Sequence, residues 1–390
     1  MTEKKMNDRA YVGTSAGVLM RTDPRSWRVS ASQDVNYEVR QLDGLLDSSN
    51  RAFLDACGGS EAVTRHIVVI DERVDALYGT QIRRYYDHHG IDLRALVLPI
   101  SEETKEMDAA MAIVRHLEAE GVLRRSDPLI GIGGGVLLDL VGFAAGLYRR
   151  GVPYIKVPTN AMAIWDAAVG VKTAVNALGR RNRLGSYHAP SKALLDRRFL
   201  RTVDRRHLSN GMGELLKLAV IKDLRLFTLL EGHSQMLLET AFQDDIVAPE
   251  VISRAVHGML EELAPNLWET TLERSVDFGH SFAPLLEMRA LPELLHGEAV
   301  ALDVLLSCRI ALRRVCSREM KSIALCRLCA PWSCRSVTVF LLTRRCCRRH
   351  LPTRCATAMG CNVCRCLPES GTACSSATCG WTKFRAWPGR

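Results

Sequence analysis

Apolar and polar positions alternate in the first half of the chain in a way that predicts strands and helices in turn. Residues 65–71, Arg-His-Ile-Val-Val-Ile-Asp, form an apolar run ending on an acid and predict a buried strand. Residues 76–89 have helical spacing, and residues 93–99 predict a second strand. Residues 102–120 predict an amphipathic helix with Met107, Ala110, Ile113, Val114 and Leu117 on one face. A third strand at 128–132 runs straight into Gly133-Gly-Gly135 and an apolar helix, and a fourth follows at 154–158. Strands alternating with helices point to an open parallel α/β sheet. Residues 1 to about 60, with a strand-like piece at 37–40 and polar turns, form an entry layer.

Beyond about residue 195 the period turns helical, over 207–230, 249–263 and 298–314, with no convincing strand between and no internal repeat. The pattern therefore predicts an α/β nucleotide-binding domain over residues 1–195 and an all-helical domain over 196–314. The cleft between them is the natural ligand site.

Charge and cysteine break the chain a third time. The net charge of +9 hides a split: residues 312–390 hold thirteen Arg and two Lys against Glu319 and Glu369, a net +13, which leaves −4 for the residues before them. Thirteen of the fourteen cysteines lie between Cys308 and Cys379, and only Cys57 comes early. An abrupt rise in Arg and Cys without periodicity reads best as a shifted reading frame from about residue 315. A zinc module is the alternative, since Cys326 with Cys329 and Cys361 with Cys364 are C-x₂-C pairs, but the pairs stand further apart than ribbon spacing. A basic nucleic-acid tail would want a recognisable binding motif, and the sequence shows none. No apolar run reaches the roughly 18 residues of a membrane span. The mixed-charge start, Met-Thr-Glu-Lys-Lys-Met-Asn-Asp, lacks the apolar stretch of a signal peptide, so a cytoplasmic protein is expected.

Three segments carry the most chemistry: Asn210-Gly-Met-Gly-Glu-Leu-Leu-Lys217, Asp277-Phe-Gly-His-Ser-Phe-Ala-Pro284 and Leu295-His-Gly-Glu-Ala-Val300. One carboxylate, Glu214, and two imidazoles, His280 and His296, suit a zinc ion with a position left for substrate. No short spacing links them, and each histidine alone reads equally as a core or surface residue. The glycines at 133–135, between a strand and a helix, let backbone N–H groups approach a phosphate, or simply let helix and strand pack closely. Asp71 could accept from a ribose hydroxyl, but an acid ahead of the glycines is the reverse of the dehydrogenase order. Asp166, Lys172, Arg181, Asn182 and Arg183 suit a phosphate and sugar hydroxyls, or a solvated loop. Glu214 and Lys217 share a helix face, as ligand and substrate-binding ammonium or as an ordinary ion pair.

Further motifs accompany these: Gly133-Gly-Gly-Val-Leu-Leu-Asp139, Tyr148-Arg-Arg-Gly-Val-Pro153, Asp166-Ala-Ala-Val-Gly-Val-Lys-Thr173, Asn182-Arg-Leu-Gly-Ser-Tyr-His188, Arg206-His-Leu-Ser-Asn-Gly211 and Glu261-Glu-Leu-Ala-Pro-Asn-Leu-Trp268. In this order, over roughly residues 26–314, they resemble the sugar phosphate cyclase superfamily of 3-dehydroquinate synthase, and within it the 2-epi-5-epi-valiolone synthases. The resemblance implies that Glu214, His280 and His296 hold zinc, or cobalt in its place. It implies an NAD site made of Asp71, Glu102, Lys105, Gly133, Gly134, Gly135, Asp139, Thr159, Asn160 and Arg181. Asp166, Lys172, Asn182, Lys217 and Asp277 would bind substrate, with Lys172, Lys217 and Glu269 in catalytic roles and Glu269 as proton acceptor. Arg150 would reach the neighbouring subunit's substrate, which implies a homodimer.

Departures from dehydroquinate synthase point to the substrate. Pro284 stands where that family has a second histidine, Asp277 where it has Asn, and Met259 about where it has Lys. A carboxylated substrate wants positive charge, so these losses favour a neutral sugar end, as in sedoheptulose 7-phosphate; Thr173 points the same way. Asn160, Trp165 and Arg181 also depart, from Thr, a small aliphatic and Lys. The implied reaction is redox-neutral. A secondary alcohol is transiently oxidised at the expense of NAD⁺, phosphate is eliminated, the hydride is returned, and an aldol step closes a carbocycle for an aminocyclitol natural product. The alternatives are a related cyclase (3-dehydroquinate, 2-epi-valiolone or desmethyl-4-deoxygadusol synthase), an NAD-binding protein inactivated by its altered C-terminus, or an alcohol dehydrogenase with net hydride transfer.

Overall fold

The computed structural model describes residues 18–23, 25–57, 64–290 and 293–314. The segment from 315 onward, including both C-x₂-C pairs, lies outside the described residues. Strands β1 (Val18–Asp23) and β2 (Ser26–Ser30) pair antiparallel, from Val18↔Ser30 to Asp23↔Ser26. This hairpin belongs to a small unit of its own that ends at Glu38.

From Val39 on, the elements follow as β3 (Glu38–Gln41), α1 (Ala52–Ala56), β4 (Arg65–Asp71), α2 (Glu72–His89), β5 (Asp92–Leu98), α3 (Met107–Ala119), β6 (Leu129–Gly133), α4 (Gly135–Leu147), β7 (Tyr154–Pro158), β8 (Lys172–Ala177), β9 (Arg180–Tyr187) and β10 (Lys192–Leu195). Helices α5 (Arg205–Ile221), α6 (Leu224–Glu239), α7 (Val247–Leu263), α8 (Ala283–Ala290) and α9 (His296–Arg314) complete the described part.

Six strands form one sheet in the order β3-β10-β7-β6-β4-β5, and β10, β7, β6, β4 and β5 run parallel. Ile67, Val68, Val69 and Ile70 of β4 are all buried, so both sheet faces are covered. Each such side chain contributes roughly 1.5–3 kcal/mol of hydrophobic stabilisation. One face packs on Phe53, Ile82, Tyr85 and Tyr86, the other on Ile113, Leu117, Val141 and Phe143. Asp71 ends β4 and caps α2 by accepting from the Arg73 N–H at 2.9 Å. Gly90 ends that helix at φ 66°, a left-handed position that costs glycine nothing.

The predicted fold class holds: a parallel-sheet α/β half precedes an all-helical half. The two share a third core in which Leu138, Ile164, Trp165 and Ala193 pack with Leu208, Met212, Leu215 and Leu230. Trp165, bulky as it is, is fully buried, stands 5.3 Å from the Phe242 ring and donates its indole N–H to the Gly211 carbonyl at 2.9 Å. The missing side chain of Gly211 leaves room for it.

Three local expectations change. The helix expected over 102–120 begins only at Met107, because Lys105 is drawn inward and Ser101 and Thr104 bond each other's backbone N–H groups in a turn. The helix expected over 207–230 is two helices. Lys222 leaves helical geometry and Asp223 caps α6 by accepting from Leu226 N–H at 2.9 Å. The polar stretch at 172–187, which suits a solvated loop as readily as a site, is the antiparallel hairpin β8–β9.

Candidate active site

Helices α5 and α9 cross at two glycines. A Cβ on Gly213 would collide with the Gly297 carbonyl, and one on Gly297 with the Asn210 carbonyl. The Asn210 side-chain oxygen accepts from Gly297 N–H at 2.7 Å, so the start of α9 is bolted to α5. This contact sets Glu214 beside His296. The loop before α8 adds His280, and it is held by Asp303 of α9, fully buried, which accepts from the Phe282 N–H and, at 2.9 Å, the Ala283 N–H.

One ligating atom from each of Glu214, His280 and His296 lies within 4.8 Å of the others. His280 Nε2 and His296 Nε2 stand 3.8 and 3.6 Å from the same Glu214 oxygen. A tetrahedral ion with bonds of about 2.1 Å spaces its ligand atoms about 3.4 Å apart, so the trio fits zinc with little movement. Both Glu214 oxygens are buried and accept no directed hydrogen bond, although the Lys217 ammonium presses against one. Burial pushes this carboxyl up, but Lys217 and the two imidazoles outweigh it and hold the group ionised, well below the usual range. Lys217 takes one of these oxygens, and the other, facing both imidazoles, is buried without a hydrogen bond, which suits a cation. Each histidine turns its Nδ1 away: His280 toward the Phe278 carbonyl at 3.4 Å, His296 toward Glu287 Oε2 at 3.2 Å. Burial lowers the pKa of His280; burial opposes the rise at His296, but Glu214 and Glu287 raise it to about 10. Two carboxylates around that ring therefore favour a positive charge, whether proton or metal ion.

Glu214 and His280 face a cavity of about 590 Å³. The same cavity is lined by Asp139, Asp166, Lys172, Asn182, Lys217, Met259, Glu269, Arg274 and Asp277. Asp166 sits on a π-helical turn, Ala163–Ala167, where burial and the nearby Glu214 raise its pKa. Lys172 pairs with Glu269 at 3.0 Å. Burial raises the Glu269 pKa, but Lys172 and Arg274 more than offset it and keep the carboxylate ionised. Arg274 is a cation that sequence reasoning missed. It grips Asp277 with two bonds, at 2.7 and 3.1 Å, and also contacts Glu269. The cavity thus does contain a guanidinium, but two carboxylates already neutralise it.

A second set of the expected residues lies at the carboxyl ends of the strands. Asp71 and Gly133 end adjacent strands, and Thr159 donates its backbone N–H to the Gly133 carbonyl at 3.0 Å. Gly134 caps α4, and a Cβ there would strike the Asn160 amide. The glycine is therefore needed for Asn160 as well as for any phosphate. Lys105, buried, donates to Asp139 and to Asn182, each at 2.6 Å, tying α4 to the hairpin. Asn182 has φ 50°, held by Asn176, which accepts its N–H at 2.8 Å. Asn176 also donates to Glu102.

The chain matches the family models of the 3-dehydroquinate synthase N-terminal region over residues 95–210 and C-terminal region over residues 211–337. It is 52% identical over 293 residues to a 2-epi-5-epi-valiolone synthase from an Actinomyces species, covering 73% of this chain and 76% of that protein. The chain belongs to the 3-dehydroquinate synthase family of sugar phosphate cyclases. The 2-epi-5-epi-valiolone synthase of Streptomyces albus is 48% identical over 314 residues, 79% of this chain and 77% of that one. Among solved structures, ValA, the 2-epi-5-epi-valiolone synthase from Streptomyces hygroscopicus subsp. jinggangensis with NAD⁺ and Zn²⁺ bound, superposes with TM-score 0.74 at 45% identity, covering 79% of this chain and 83% of that one. The C-terminal match runs past residue 314, where the resemblance drawn from motifs alone ends.

For this cyclase the residues expected in the site fall into three places. Asp139, Asp166, Lys172, Asn182, Glu214, Lys217, Glu269, Asp277 and His280 share the cavity, and His296 adjoins it through Glu214. Asp71, Gly133, Thr159 and Asn160 lie at the strand ends, Gly134 and Gly135 start α4, and Lys105 reaches that helix through Asp139. Glu102 and Arg181 stand 3.6 Å apart, with Arg181 also bonded to Glu287 at 2.6 Å. Arg150, with φ 63°, is exposed and outside the cavity. Sequence reasoning missed Glu287, Asp303 and Arg274. Glu287 lies nine residues before His296, outside the motifs, and only the fold brings it to the imidazole.

Proposed function

We propose that this enzyme converts sedoheptulose 7-phosphate to 2-epi-5-epi-valiolone with release of phosphate, as an NAD- and zinc-dependent lyase acting as a cytoplasmic homodimer. The observation that carries the reading is one cavity that joins a three-ligand metal site to Lys172, Asn182 and a neutralised Arg274. Among the described residues no helix is long and apolar enough to cross a membrane. The exposed position of Arg150 suits a residue offered to a second subunit.

Glu214, His280 and His296 would hold the metal, and the residues at the strand ends, from Asp71 to Asn160, would hold NAD. When bound, the metal supplies a Lewis acid and the nicotinamide a reversible hydride acceptor. The chain itself positions the sugar and moves its protons. Lys217, buried against Glu214, balances that carboxylate and can donate to a substrate hydroxyl. Asp166, with its raised pKa, can share a proton with a neighbouring hydroxyl. Lys172 and Asn182 offer an ammonium and an amide to the phosphate, which must draw Lys172 away from Glu269. Glu269, freed from that ion pair, is an ionised carboxylate able to accept a proton. The cavity volume suits a seven-carbon sugar phosphate, since ligand pockets run about 300–1,000 Å³.

The test uses the purified chain, and a version with its 3′ reading frame restored, supplied with zinc, NAD⁺ and sedoheptulose 7-phosphate. Phosphate release, no accumulation of NADH and a carbocyclic product by NMR support the reading. Net NADH formation would move the protein to the alcohol dehydrogenases. Preference for 3-deoxy-arabino-heptulosonate 7-phosphate would move it to the dehydroquinate branch.

A further inference from the structure

Sequence motifs mark the metal site by its three ligands, but the aim of one ligand depends on residues outside those motifs. His296 opens α9, and its ring is partly exposed, at 40%. Nothing in the helix start itself fixes the ring's rotation. Its Nε2 faces Glu214, so the bond that fixes the ring must be made at Nδ1. There the partner is Glu287 of α8, 9% exposed, with Oε2 at 3.2 Å. The other Glu287 oxygen accepts from Arg181 Nη1 at 2.6 Å. Arg181 belongs to β9, and its Nε stands 3.6 Å from Glu102. A chain of contacts therefore runs from the hairpin through Glu287 to the metal-facing imidazole.

The geometry points to Glu287 as the positioning residue for His296, with Arg181 locking Glu287 in place. The inference rests on the metal reading above and adds to it the pair that holds one ligand in register. An imidazole that ligates through Nε2 must keep its proton on Nδ1, and a carboxylate there fixes both tautomer and ring plane. His280 has only a backbone carbonyl at 3.4 Å for the same purpose. The two ligands are thus oriented unequally, and the His296 arm is the one a side-chain substitution can release. Arg181 is half exposed, so its ion pair adds little stability. Its effect is geometric: it keeps the Glu287 carboxylate from rotating away from the ring.

The test measures zinc affinity by chelator competition, and the visible spectrum of the cobalt-substituted protein, on the full chain. Glu287→Ala is expected to weaken zinc binding about 10- to 100-fold and to change the cobalt spectrum. Glu287→Gln, which keeps an acceptor for Nδ1–H, should lose less. Arg181→Ala should fall between parent and Glu287→Ala, with Glu287 itself left in place in case the first variant misfolds. His296→Ala serves as the reference. If it loses zinc while Glu287→Ala and Arg181→Ala both stay within twofold of the parent, the positioning role is overturned and the metal site stands. If His296→Ala also keeps the parent affinity, the metal reading itself fails.

Discussion

Gly213 on α5 and Gly297 on α9 sit against each other with no space for a side chain on either, and this contact brings Glu214 to His296. The Gly-Met-Gly-Glu and His-Gly-Glu motifs therefore have one cause: each glycine lies next to a ligand because the ligands meet only where the backbones touch. Gly213→Ala must push the helices apart, since the atom it meets is backbone and cannot rotate away. Overpacking of this kind costs about 1–3 kcal/mol. The expected outcome is a lower melting temperature together with lost zinc, measured by thermal scan and metal analysis. A variant that melts lower but keeps its zinc would show that the crossing does not set the ligand spacing.

Gly134→Val tests the proposed NAD site. A Cβ at Gly134 meets the Asn160 amide, whose oxygen accepts from Ala163 N–H at 2.9 Å. The substitution disturbs both the phosphate approach at the start of α4 and the turn that leads to Asp166. We expect NAD⁺ affinity to drop at least tenfold by calorimetric titration, a loss of about 1.4 kcal/mol. Unchanged affinity would remove this loop from the cofactor site.

The parallel strands were legible because each is a short apolar run with a clear break on either side, as at Ile67–Ile70 between Arg65 and Asp71. The hairpin β8–β9 was not, because every residue of β9 from Arg180 to Tyr187 is exposed, so no buried face imposes a period of two. Helix α3 is shorter than its pattern predicts, because residues 102–106 are helix-compatible by composition alone. What removes them from the helix is the tertiary pull on Lys105. Within the site, Glu214, His280 and His296 stood out through glycine-flanked motifs, whereas Glu287 and Arg274 sit in unremarkable local sequence. Their roles come from partners more than a hundred residues away, as for Glu287 with Arg181, or from a local clamp, as for Arg274 with Asp277. Neither leaves a repeat or a spacing to detect.

Lys156 is expected to give the protein a pH-dependent stability. It lies on central strand β7, fully buried, and donates to the Gly170 and Ala167 carbonyls at 2.8 and 3.1 Å. Burial lowers its pKa to about 8, with Asp139 and Asp166 opposing. In the unfolded chain the group titrates near 10.4. Between those values the unfolded state holds the extra proton, so stability rises with pH across that window. Below about pH 8 the ammonium is charged in both states and its burial cost is borne in full. Lys156→Met should remove this rise. Denaturant titrations from pH 7.5 to 10.5, taken as the difference between parent and variant, should shift by up to roughly 3 kcal/mol. A flat difference would mean that the lysine keeps its proton throughout.

We predict that substrate choice can be altered through Asp277, which lines the cavity. It occupies Arg274 through both carboxylate oxygens, and Glu269 takes what remains of that cation. A substrate carboxylate entering the cavity would meet Asp277 as a like charge and find the guanidinium already paired. Asp277→Asn removes one negative charge and loosens the grip on Arg274 while leaving side-chain volume almost unchanged. An arginine so released can bind a carboxylate with paired hydrogen bonds. We therefore expect the variant to lose kcat/KM for sedoheptulose 7-phosphate and to gain it for 3-deoxy-arabino-heptulosonate 7-phosphate, moving their ratio by at least tenfold. Arg274→Met in the Asp277→Asn background should cancel the gain, because the cation that does the binding is then gone. Parallel changes for both substrates would mean that Asp277 acts on folding or on a shared step. An unchanged ratio would mean that the Arg274–Asp277 pair does not face the sugar end of the substrate.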